Sequence, residues 1–147
     1  MLTSILKEIY ARDLNKLKEE LNAYTNEVDL WLIGKDISNS GGNLSLHLIG
    51  NLKTYIGAAL GGEKYTRNRP EEFSLKNISR DSIIKQIDEI IQEINTVLDH
   101  ITELQLIAEY PILVFEKPTS TAYMLTHLAS HLNYHLGQIN YHRRLLA

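Results

Sequence analysis

Four of the six histidines of this chain fall in one C-terminal segment, THLASHLNYHLGQINYHRRLLA, as His127, His131, His135 and His142. The first three recur at every fourth residue, so in a helix they stand on one face, one turn apart. Neutral imidazole ligates zinc, nickel, copper or iron, and two rings at this spacing can converge on one ion. Another histidine, His47, lies far upstream in the apolar segment LSLHLIGNL. If the fold carries it to the same point, three nitrogens from two helices make a metal site with an open coordination position. Such sites are catalytic more often than structural, because the open position takes water or substrate. There a water could be deprotonated near neutral pH, or a thiol bound as thiolate. The competing reading is a row of core histidines bonded to backbone carbonyls or neighbouring side chains. Spacing alone does not select which pair of the row binds, since His127 and His142 extend it. His100 reads as a solvated or helix-end residue.

Other histidine chemistries fail on residues. The second position of HLNYH is Leu132, where a zinc protease of the HExxH kind needs its glutamate base. No Glu-x-x-His pair occurs, which leaves a carboxylate-bridged di-iron bundle unsupported. The absence of cysteine excludes disulfides, thiolate ligands and a cysteine nucleophile, so any thiol chemistry needs a thiol from outside. A net charge of −3 and a pI near 6.1 give no electrostatic reason for nucleic acid as a partner.

The elements that must position these residues read as helices. Ile5, Ile9, Leu14, Leu17, Leu21, Tyr24, Val28 and Trp31 follow three-and-four spacing and predict a long first helix ending near Gly34. A second helix is expected over roughly Leu44 to Leu60, capped by Ser40 or Asn43 and ended by Gly61 and Gly62. EKYTRNRPEEFSLKN is polar and contains Pro70, which predicts a long connecting loop of the kind that often carries function. From Ser79 the stripe Ile83, Ile87, Ile90, Ile94, Val97, Ile101 and Leu104 is the clearest helix of the chain. Pro111 and Pro118 bracket ILVFEK, an extended or packing passage, and Thr119 or Ser120 opens the last helix. Four amphipathic helices at 147 residues predict a single all-α domain, a four-helix bundle, spanning 1–147. The N-terminus does not read as a signal peptide and no stretch is a membrane span, so a cytoplasmic protein is expected.

SHLNYHLGQINYHRRLL is similar to the final-helix H-x-x-x-H-x-G-Q signature of the DinB-like superfamily, and LSLHLIGNL resembles its second-helix histidine. The resemblance covers nearly the whole chain in helix order and length, and GGEKYTRNRPEEF is similar to one subfamily's segment after helix two. It implies three metal ligands at His47, His131 and His135, with His127 as a neighbour. It further implies a zinc or nickel ion, a small-molecule substrate, a homodimer and no contact with DNA. In some members the metal activates a low-molecular-weight thiol for transfer to an electrophile, which implies an S-transferase or hydrolase. A non-catalytic bundle with a structural metal is the alternative.

The charged segment after helix two adds candidates for binding a cofactor or substrate. Arg67 and Arg69 offer planar donor forks suited to a carboxylate or phosphate. Pairing with Glu63 and Glu72 is the simpler use of the same charges. Asn51, one turn beyond His47, would orient a ligand or bond within the bundle.

Overall fold

A computed structural model describes residues 1–34 and 36–146 of the chain. The first helix, α1 (Leu2–Ala23), turns Leu6, Tyr10, Leu14, Leu17 and Leu21 into the core at helical spacing. It stops eight residues short of Trp31, the last position of the expected stripe, because Tyr24 takes extended backbone and a separate 3-10 turn forms at Glu27–Trp31. Thr25 and Asn26 stand at the break, and side chains of these types compete with helical hydrogen bonding. The correction moves Val28 to the surface, at 66% exposed, while Leu30 and Trp31 remain buried.

Helix α2 (Gly41–Leu52) starts where Ser40 accepts a hydrogen bond from the backbone of Asn43. It runs on as a π-helical turn over Lys53–Ala58. The polar stretch that reads as a loop contains a short helix, α3 (Arg69–Ser74), capped by Asn68 and begun with Pro70 in its first turn. Its six residues are too few to show a period.

Helix α4 (Arg80–His100) follows its Ser79 cap and buries Ile83, Ile87, Ile90, Ile94, Val97 and Leu98. The expected continuation through Leu104 does not form. Thr102 and Gln105 make a reciprocal capping box that starts a new helix, α5 (Glu103–Ile107), and Leu104 is left 77% exposed. His100 ends α4 and is exposed, bonded to the carbonyl of Thr96. The passage between the prolines closes through backbone bonds from Tyr110 to Thr119 and from Thr121 to Ala108, and Phe115 packs against the core. Apart from one isolated bridge, Glu109 with Ser120, the described residues are helical or irregular.

The last helix, α6 (Thr121–Leu146), packs on both α1 and α2, and α4 packs on α1 and α2. Leu17, Leu48, Ile87 and Leu132, from α1, α2, α4 and α6, share one buried cluster. Polar bonds fix the rotation of α6. Asn133 donates to Asp13 at 3.1 Å, Asn140 to Glu20 at 2.7 Å, and Arg143 to Glu20 at 2.7 Å. With positions 133 and 140 turned to α1, positions 131 and 135 are turned to α2. No described helix is long and apolar enough to cross a membrane.

Candidate metal centre

His47 on α2 meets His131 and His135 on α6. The Nε2 atoms of His47 and His131 lie 3.2 Å apart, as do those of His131 and His135. One ligating atom from each ring fits within 4.8 Å of the other two. His47 is buried, and its two partners are half-buried. His127 stands outside this group. Its ring stacks 6.4 Å from that of His131 and takes Phe115 edge-on at 4.8 Å, so it forms a wall beside the centre. His142 is remote from it, bonded to Tyr24 and to the carbonyl of Leu32.

The outer nitrogens decide which way the lone pairs point. Nδ1 of His47 lies 3.1 Å from Oε1 of Glu72 and 3.4 Å from Nη2 of Arg67. The guanidinium nitrogen makes its shorter bond, 2.9 Å, to that same carboxylate, which only accepts, so Nδ1 carries the proton toward Glu72 and Nε2 the lone pair. Nδ1 of His135 donates in the same way to Oε1 of Gln138 at 2.7 Å. Two lone pairs therefore aim at Nε2 of His131, which has at most one proton to offer. One of the two close contacts is left as lone pair against lone pair, an arrangement that a cation resolves.

The donor set fits a metal ion. Two imidazole nitrogens on a tetrahedral zinc, each at about 2.0–2.1 Å, stand about 3.4 Å apart. The observed separations of 3.2 Å match that edge. Burial, with His135 and His47 nearby, pushes His131 down to about 4. His47 is lowered chiefly by burial, against the opposing pull of Glu72. Both rings are thus neutral at pH 7, as ligation requires.

The remaining candidates lie around this centre in different states. Asn51 is buried on the face of α2 that carries His47, and its Oδ1 has no partner; neither does the hydroxyl of Thr54, one turn further on. Arg67 points inward and grips Glu72, through Nε at 2.8 Å and Nη2 at 2.9 Å. Arg69 lies over the ring of Phe73, which itself stands 5.0 Å from that of His47. The link from Glu72 to His47 is the feature that residue spacing does not reveal. A signal for it exists in Gly50, a glycine inside a helix one turn from His47, where a Cβ would collide with the Glu72 carboxylate.

All-helical architecture and a convergent three-histidine group define the class of this protein. The chain belongs to the family described as "Protein of unknown function (DUF1572)", whose model matches residues 4–147. A crystal structure of a conserved protein from Enterococcus faecalis is similar in fold, with a TM-score of 0.78 over 97% of this chain and 95% of that one, at 18% identity. No curated protein matches the chain.

Proposed function

We propose that this is a metal-dependent enzyme built as a single DinB-like four-helix bundle, in which His47, His131 and His135 hold one zinc or nickel ion. The observation that carries the reading is the convergence of three Nε2 atoms, two of them with lone pairs fixed inward by Glu72 and Gln138. A divalent ion bound there supplies Lewis acidity, lowering the pKa of a coordinated water or thiol.

The reaction is read as S-transfer from a low-molecular-weight thiol to an electrophilic small molecule, or as hydrolysis. A chain without cysteine suits a thiol supplied from outside. Its own residues then bind and orient. Asn51 offers an unpartnered carbonyl oxygen beside His47 for a donor group on the ligand. Arg69 and the outer edge of Arg67 flank the centre with positive charge for a carboxylate or phosphate on thiol or substrate. The same reading takes the protein as a cytoplasmic homodimer.

The test is turnover of the zinc- and nickel-loaded protein against a panel of thiols paired with electrophiles, and against ester and amide substrates. Activity lost on chelation and restored by metal is the expected result. Bound metal with no turnover across the panel, and loss of thermal stability on chelation, would favour a structural metal instead.

A further inference from the structure

The segment from Arg67 to Leu75 is charged and surface-derived, yet it drives one carboxylate into the protein. Glu72 is 6% exposed and makes three hydrogen-bonding contacts at once: the two from Arg67, and the one with Nδ1 of His47 at 3.1 Å. Arg67 itself is largely covered, with 13% of its side chain exposed. Burying such a pair costs desolvation, which close geometry and further hydrogen bonds must offset. The fidelity of this arrangement is built in from α2 as well. Gly50 has no Cβ where the carboxylate enters. Asn43, one turn before His47, donates through Nδ2 to the carbonyls of Glu72 at 2.9 Å and Leu75 at 2.8 Å, tying the C-terminal half of α3 to the helix that carries the ligand. Phe73 covers the imidazole of His47 from the same short helix.

These features are more than an isolated ion pair needs. Arg67 and Glu72 would satisfy each other in a bidentate fork at the surface without desolvation, without a glycine opposite and without a histidine on the carboxylate. We infer that α3 is a strap that positions His47: Glu72, held by Arg67, fixes the ring's tautomer and direction, so metal binding and docking of α3 on α2 are one linked equilibrium. The inference rests on the three imidazoles being metal ligands. Glu72 is a positioning residue, acting through His47, and not itself a ligand. Linkage runs both ways: an undocked strap weakens the metal, and bound metal holds the strap down.

The test compares zinc affinity, by competition with a chromophoric chelator, and the visible spectrum of the cobalt-substituted protein. The variants are Glu72→Gln, Gly50→Ala and the double variant Arg67→Met/Glu72→Met, which leaves no buried charge without its partner. Each is expected to bind zinc about 10–100-fold more weakly than the wild type, the usual effect of losing an outer partner of a metal-bound histidine. The cobalt spectrum should change in shape as His47 loses its fixed direction. In the wild type, zinc should slow amide exchange across residues 67–75, and in His47→Ala it should not. Should the double variant fail to fold, Gly50→Ala carries the same expectation by displacing the carboxylate alone. Zinc binding in the wild type with affinities unchanged within twofold in folded variants, or exchange at 67–75 indifferent to zinc, overturns the strap. A wild type that binds no zinc overturns the three-histidine reading itself, and the strap with it.

Discussion

His131 and His142 sit on the same helix three turns apart, and their surroundings could hardly differ more. His142 is 6% exposed and closed at both nitrogens: Nδ1 accepts from the hydroxyl of Tyr24 at 2.6 Å, and Nε2 donates to the carbonyl of Leu32 at 2.8 Å. Gly41 makes room for this, since a Cβ there would collide with the Tyr24 hydroxyl. His131 has no partner at Nδ1, and at Nε2 it meets only two other imidazole nitrogens. Histidine on a helical row is therefore ambiguous until its hydrogen-bond complement is counted. A ring with one donor and one acceptor satisfied ties α6 to the chain around Tyr24 and Leu32. A ring facing other lone pairs is arranged for a cation.

The contrast can be broken at either end. The largest effect on stability is expected from His142→Ala, which removes the acceptor of the buried Tyr24 hydroxyl and the bond that ties α6 to the carbonyl of Leu32. Chemical denaturation should show a loss of about 1–3 kcal/mol, the cost of leaving the buried Tyr24 hydroxyl without its acceptor, with zinc affinity unchanged. An equal loss of zinc affinity would mean that the two histidine environments are not separate.

Acid should act through the other end. Since His131 is held down to about 4 in the fold against 6.5 for an ordinary histidine, the unfolded chain binds more protons over that interval. The metal-free protein should thus lose stability as the pH falls from about 6.5 toward 4. His131→Gln should flatten that part of the profile, whereas an unaltered slope would place the proton uptake elsewhere. The smallest effect is expected from Gln138→Ala, which frees only Nδ1 of a half-buried ring. Zinc affinity should fall by a factor near the lower, roughly tenfold limit for outer partners, as read by chelator competition.

The long helices were legible because each buries a stripe long enough to show its period, as Ile83 to Val97 does on α4. Their ends were less so. The break after Ala23 and the restart at Glu103 depend on local competition by Thr25, Asn26, Thr102 and Gln105, which a stripe of apolar residues overruns. Helix α3 stayed hidden for another reason: RPEEFS is short and charged, and only its Asn68 cap and Pro70 mark it. At the centre, the histidine row announced metal chemistry without choosing its members, and the family resemblance named three. What unites His47 with α6, and Glu72 with His47, is tertiary approach between residues 84 and 25 positions apart, which no local spacing encodes.

The central claim is that three imidazoles from two helices hold one divalent ion. Elemental analysis of protein purified without chelator and then equilibrated with zinc, wild type beside His131→Ala, tests it most directly. The wild type should retain one equivalent of metal per chain, and the variant should lose it, with affinity down by more than about 100-fold, beyond the range for outer partners. No metal in the wild type, or equal metal in both, would contradict the account.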